Sequence, residues 1–130
     1  MLRYLSLAWI EALSDAVAGD ATLAGLAASH PIGITQQIFD GPEGTVVYHL
    51  QAGGGAATFG PGAAHPEDVR MEEDWATAVA VATGAMNAQE AFITGKIRLS
   101  GDQAKLIAAQ PVLAELSRVF AEVGERTEYR

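Results

Sequence analysis

Asn87-Ala88-Gln89-Glu90-Ala91-Phe92-Ile93-Thr94-Gly95-Lys96-Ile97-Arg98-Leu99-Ser100-Gly101-Asp102 holds a short helix, a tight reversal, a strand and the cap of another helix in one run. Asn87 followed three residues later by Glu90 is a capping-box pattern, in which side chain and backbone exchange hydrogen bonds at a helix start. Thr94-Gly95 supplies the left-handed stop, because glycine has no Cβ to oppose positive φ. From Lys96 to Ser100 polar and apolar residues alternate, the period of a strand with one buried face. Gly101 closes that strand, and Asp102 is placed to cap the next helix.

Working outward, residues 32–40 and 45–52 read as strands joined by the turn Gly41-Pro42-Glu43-Gly44. On the second of them Val46, Tyr48 and Leu50 share one face and Val47, His49 and Gln51 the other, giving the sheet one apolar and one mixed side. Residues 56–59 form a third short strand, and Val69, Met71 and Glu73 alternate with Asp68, Arg70 and Glu72 in a fourth. Asp74 caps a helix carrying Trp75, Ala78, Val79 and Ala82. Before the sheet, Leu2, Leu5, Trp9, Ala12, Leu13 and Ala16 have the spacing of an amphipathic helix, and a second short helix follows over residues 21–28. His30-Pro31 ends it, since the residue before proline leaves the helical basin. After Asp102 come a short helix around Lys105-Leu106-Ile107 and a last helix opened by Pro111, with Leu113, Leu116, Phe120 and Val123 on one face and a frayed end over residues 125–130. Strands in succession with helices before and after predict an α+β fold: a five-stranded, mainly antiparallel sheet covered on one face by helices, in a single domain over residues 1–130.

The run Ala91-Phe92-Ile93-Thr94-Gly95-Lys96-Ile97-Arg98-Leu99-Ser100-Gly101-Asp102 resembles the signature of the sterol carrier protein 2 (sterol-transfer) domain family, in its stand-alone bacterial form. In that family an Ala-Phe-aliphatic-x-Gly-Lys-aliphatic-x-aliphatic-x-Gly-Asp run joins a helix to the last strand. The resemblance implies a sheet and helices enclosing an apolar tunnel for sterols, fatty acids, acyl-CoA or phospholipids. Non-enzymatic intracellular transfer would then be the function. If helices cover the sheet, Phe92, Ile93, Ile97, Leu99, Leu106, Ile107, Leu113, Leu116 and Phe120 converge, and with Trp75 they are the candidate wall of such a cavity. Lys96 and Arg98 are candidates for meeting an anionic head group at its mouth. The last helix, bounded by Pro111 and a polar tail, is the candidate gate.

Composition narrows the alternatives. A chain of 130 residues can bury a core without staples, and zero cysteines exclude thiol nucleophiles, thiolate metal sites and disulfides. A formal net charge of -8 disfavours nucleic acid and anionic membranes as partners. Apolar residues reach 49% against 18% charged, yet no apolar run attains the roughly 20 residues of a membrane span, so stable insertion is not expected. At the start, Arg3 before apolar residues and Ala16-Val17-Ala18 faintly resemble an export signal, but Glu11 and Asp15 interrupt it; the expected location is the cytoplasm.

Two rival functions remain. An enzyme using the same cavity on an apolar metabolite would draw on His49 or an acid at its wall, and His65 beside Glu67, Asp68, Glu72, Glu73 and Asp74 could form a metal site. Neither a Gly-x-x-x-x-Gly-Lys-Ser/Thr loop nor a Gly-x-Ser-x-Gly elbow is present, and the histidines lack ligand spacing. No cofactor, metal or catalytic residue is therefore assigned. The other rival is an interaction module, such as a homodimer, that buries an apolar helix face against another subunit.

Overall fold

The computed structural model describes residues 1–129, with all their side chains except those of Ala88 and Gln89. In chain order the elements are β1 (Leu2–Arg3), α1 (Leu7–Ala18), α2 (Ala21–Ser29), β2 (Ile32–Gly41), β3 (Gly44–Gly53), β4 (Ala56–Pro61), β5 (Val69–Asp74), α3 (Trp75–Ala82), α4 (Ala88–Ile93), β6 (Arg98–Gly101), α5 (Gln103–Ala108), α6 (Gln110–Gly124) and β7 (Thr127–Glu128). The α+β class holds. Side-chain caps set the helix starts: Ser6 accepts from the Trp9 N–H, Asp20 from Thr22 and Leu23, Asp74 from Thr77, and Asp102 from Lys105.

The main sheet runs β4-β3-β2-β5-β6. Pairs β2–β3, β3–β4 and β5–β6 are antiparallel, whereas β2–β5 is parallel, so the sheet is mixed. The parallel pair arises because β4 and β5 form no hairpin. Residues 62–68 instead carry the chain from one sheet edge over the face bearing Thr35, His49 and Gln51, and those side chains hold them there. The Ala64 N–H donates to Thr35 Oγ1 at 2.9 Å and the His65 N–H to Gln51 Oε1 at 2.9 Å. His49 Nδ1 lies 3.1 Å from the Gly62 carbonyl, a contact that requires the proton on Nδ1.

Helices cover the opposite face, where Ile34, Ile38, Tyr48, Leu50, Phe59 and Val69 are buried. Helix α1 lies on β4, α2 on β3 and β4, and α3 on β2 and β5, while α6 packs against α1 and α2. Val112, Val119 and Val123 are the fully buried residues of α6; Leu113, Leu116 and Phe120 pack against the core from its flank.

Both chain ends differ from expectation. Residues 2–3 form a strand instead of the first turn of a helix, because Leu5 takes φ 64° and delays α1 until after Ser6. Over residues 125–129 the end is not frayed: β7 pairs in parallel with β1, the Leu2 N–H donates to Arg126 O at 2.7 Å, and the Tyr129 ring meets Tyr4 with centroids 4.9 Å apart, while Arg130 lies outside the described residues.

Candidate functional site

Between the end of α3 and α6 opens a cleft of about 600 Å³, lined by Tyr4, Trp9, Val81, Ala82, Thr83, Ser117, Phe120, Ala121, Gly124, Glu125 and Tyr129. Its aromatic side follows from the pairing of the chain ends. That pairing sets Tyr4 against Trp9 (centroids 5.0 Å), Trp75 (5.4 Å) and Tyr129 (4.9 Å), while Trp9 meets Phe120 at 5.9 Å. The cleft contains one carboxylate, Glu125, and none of the described residues lining it is basic.

Elsewhere on the helix-covered sheet face are polar groups among apolar neighbours. Register places Gln36 beside Tyr48 and Met71, and Ile38 beside Glu73, so alternation brings Gln36, Tyr48, Met71 and Glu73 onto one face. The Gln36 amide donates to Met71 Sδ at 3.5 Å, a weak bond to a soft acceptor. Among the described residues, Gln36 Oε1 and Glu73 Oε2 are buried with no hydrogen-bond partner. Glu73 is only 8% exposed. Burial, with the adjacent Asp74 charge adding to it, pushes its carboxyl up to about 7. Burial likewise raises the Tyr4 and Tyr48 phenols, and the Glu73 charge contributes to both, which places its carboxyl within their field.

The candidate wall residues divide. Leu99, Leu106, Leu113, Leu116, Phe120 and Trp75 join or pack against the central core. Ile97 is buried and Phe92 half-buried. Ile93 and Ile107, in contrast, are 85% and 68% exposed. Helix α4 turns Ala91 inward and α5 turns Leu106 inward, which leaves these two isoleucines facing outward. Of the candidates, only Phe120 lines the aromatic cleft.

Lys96 and Arg98 are exposed and border a separate groove of about 400 Å³, together with Phe39, Asp40, Glu72, Glu73, Asp74, Thr77 and Gly95. Carboxylates outnumber bases there, which works against an anionic head group. His49 sits on the loop-covered face, away from the cleft. Around His65, as elsewhere among the described residues, no group of three or more His, Asp or Glu is arranged to hold a metal.

The signature run is a structural lock. Gly95 takes φ 76°, and the Lys96 and Ile97 N–H groups both reach back to Ala91 O, at 2.8 and 3.1 Å. Gly101 takes φ 105°, and a Cβ there would lie 2.3 Å from Asp68 O. The Asp102 N–H donates to that same carbonyl at 2.8 Å. Asp68 completes the lock, accepting the Gly33 N–H at 2.7 Å and the Lys105 ammonium at 3.0 Å. Burial opposes ionisation of Asp68, but these two donors outweigh it and hold the carboxyl below its ordinary range.

This fold, with an apolar cleft beside its helix-covered sheet, is that of the sterol carrier domains. A family model described as the SCP-2 sterol transfer family matches residues 14–114, and the chain belongs to that family. Among solved structures, a conserved hypothetical protein from Thermus thermophilus, described as possibly a sterol carrier protein, is 22% identical with TM-score 0.70, covering 95% of this chain and 91% of that one. A crystal structure of sterol carrier protein 2 gives 22% identity and TM-score 0.69, over 90% of this chain and 96% of that one. Apo sterol carrier protein 2 from Yarrowia lipolytica gives 18% and 0.61, over 88% of each. At these identities the likeness establishes the fold. Comparison with curated proteins gives no significant match.

Proposed function

We propose that this protein is a non-enzymatic carrier that binds one lipid molecule in the cleft between α3 and α6 and transfers it within the cytoplasm. The observation that carries this reading is the cleft, about 600 Å³ and walled by Tyr4, Trp9, Val81 and Phe120. Its size falls within the roughly 300–1,000 Å³ of small-molecule pockets. Removal of a 16-carbon tail from water contributes about 13 kcal/mol gross at 0.8 kcal/mol per methylene, which leaves useful affinity after ordering costs. Family membership supports a lipid cargo in general; within that class, fatty acid, acyl-CoA or sterol is the cargo proposed. Among the described residues no helix is long and apolar enough to cross a membrane.

Phe120 on α6 meets the cargo directly, while Leu113 and Leu116 on the same helix, Trp75 at the start of α3 and Leu99 on β6 pack against the core and do not line the cleft. Helix α6 serves as its gate. Arg118 tethers that helix to the start of α2 through Asp20, at 2.7 Å, while also bonding Glu115 and Glu122.

Native mass spectrometry and solvent extraction of freshly purified protein test the proposal. A bound lipid at one per chain is expected. Protein that yields no lipid and shows no saturable uptake of fluorescent fatty acid, acyl-CoA or sterol would refute it.

A further inference from the structure

We propose that the groove bounded by the ends of β2 and β5, the first turn of α3 and the turn joining α4 to β6 is a second binding site, which takes an aminoalkyl phosphate with its ammonium on Glu73 and its phosphate on Lys96 and Arg98. This site is separate from the lipid cleft and does not depend on the carrier reading. The groove holds about 400 Å³, inside the roughly 300–1,000 Å³ range of small-molecule pockets, and Glu73, Lys96 and Arg98 all border it. Three observations at these residues define the ligand.

First, an acceptor at the groove is left bare. Glu73 is 8% exposed, and its Oε2 is buried with no hydrogen-bond partner among the described residues. Such an oxygen is costly without a donor, and a ligand that brings one removes the cost. The last side-chain torsion of a glutamate is soft and its rotation exchanges the two oxygens, so either can be turned to the groove. Neighbouring Asp74 is not equivalent, because it already accepts the Thr77 N–H at 2.8 Å as the cap of α3.

Second, the groove's two cations are uncommitted. Arg3, Arg70, Lys105 and Arg118 are each ion-paired, whereas among the described residues Lys96 and Arg98 are not, although register sets Arg98 opposite Glu72. A lysine and an arginine two residues apart can serve one phosphate, the guanidinium fork binding two of its oxygens at once. Third, both signs have to be met together. Asp40, Glu72, Glu73 and Asp74 outnumber the two bases, so an anion alone is repelled, while a cation alone leaves Lys96 and Arg98 unmatched. Nor does a metal ion fit, since among the described residues no group of three or more His, Asp or Glu is arranged to hold one. A phosphate that carries its own ammonium satisfies both signs.

The test titrates four probes without tails calorimetrically into the full chain at pH 8 and moderate salt, so that the apolar cleft contributes nothing. Phosphoethanolamine stands for a free monoester and glycerophosphoethanolamine for the diester of a lipid head group; ethanolamine and ethyl phosphate carry one sign of charge each. A probe with both charges is expected to bind one to one, about tenfold or more tighter than either single-sign probe. Tight binding of the monoester alone assigns the site to a free phosphate, and tight binding of the diester assigns it to a head group. Glu73→Gln, close in shape and breaking no existing bond of Oε2, is expected to erase about tenfold of the margin over ethyl phosphate, and Arg98→Gln, at an exposed position, about tenfold of the margin over ethanolamine. Probes with both charges that bind no tighter than the single-sign pair, or not at all, overturn the proposal, and so does a margin that survives either substitution. Lipid occupancy of the cleft is read separately by native mass spectrometry, so the carrier reading stands or falls on its own.

Discussion

The two faces of the central sheet handle their polar groups in opposite ways. On the face crossed by residues 62–68, Thr35, His49 and Gln51 are each matched to a backbone group of the crossing loop. On the face under the helices, Gln36 Oε1 and Glu73 Oε2 are buried without partners among the described residues. A buried acceptor without a donor is costly, so the two faces differ in how fully the chain's own groups meet these polar side chains. Conversely, the signature run is occupied with its own hydrogen bonds and joins β2, β5, β6 and α5. Its glycines and Asp102 are explained by backbone geometry without reference to a ligand.

The largest expected effect breaks the loop side of this comparison. Gly101→Ala forces a Cβ to 2.3 Å from Asp68 O at a φ of 105°. A loss of roughly 4 kcal/mol is expected, read as a lowered urea midpoint, since steric overlap and a disfavoured φ add together. A loss below about 1 kcal/mol would mean that the lock at Asp68 is not rigid.

The next effect sharpens the helix side, because an unpaired buried carboxyl leaves a signature in the pH dependence of stability. The Glu73 carboxyl titrates near 4.5 when unfolded and at about 7 when folded. Below 4.5 both states hold the proton; between the two values only the folded state does, so stability falls as pH rises through this window and levels off above it. Glu73→Gln is therefore expected to gain on the order of 3 kcal/mol at pH 8 and almost nothing at pH 4.5. A gain independent of pH, or a loss at pH 8, would show that Glu73 is paired after all.

Asp68→Ala removes one carboxylate that serves the Gly33 N–H and the Lys105 ammonium together. About 2 kcal/mol is the expected cost, largely from the backbone donor left without its partner. Because its folded carboxyl is held low, the stability it confers is full above the unfolded value and disappears as pH falls through the folded one. The penalty in Asp68→Ala should accordingly be largest near neutrality and shrink toward strongly acidic pH; a penalty that grows on acidification would contradict the assignment.

Much of the framework is legible in sequence because it is local. Gly95, Asp74 and Asp102 act within three or four residues of themselves, and the alternation along β3 marks its apolar face without any knowledge of its neighbours. Glu73 also shares parity with Val69 and Met71, a signal that it points inward. The cleft is less legible. Tyr4 and Tyr129 are brought together by a parallel pairing of the two chain ends that no periodicity announces, and Val81 reaches the same cleft from α3. The crossing of residues 62–68, and with it the parallel β2–β5 pair, depends on hydrogen bonds spanning 13 to 35 residues. Ile93 and Ile107 were expected inside because they are apolar, but short helices bury few positions, and Ala91 and Leu106 occupy them.

The smallest expected effect separates the two faces most directly. His49 is the only histidine in a strand of the main sheet, and its Nδ1 contact to Gly62 O fastens the crossing loop, on the side away from the cleft. His49→Ala should cost about 1 kcal/mol of stability, the worth of one partly exposed hydrogen bond. Lipid occupancy by native mass spectrometry should not change, because neither the aromatic cleft nor the Glu73 region touches this side chain. If instead His49→Ala empties the protein of lipid at unchanged stability, the loop-covered face takes part in cargo handling. The division between a self-satisfied face and one left open for a ligand would then fail.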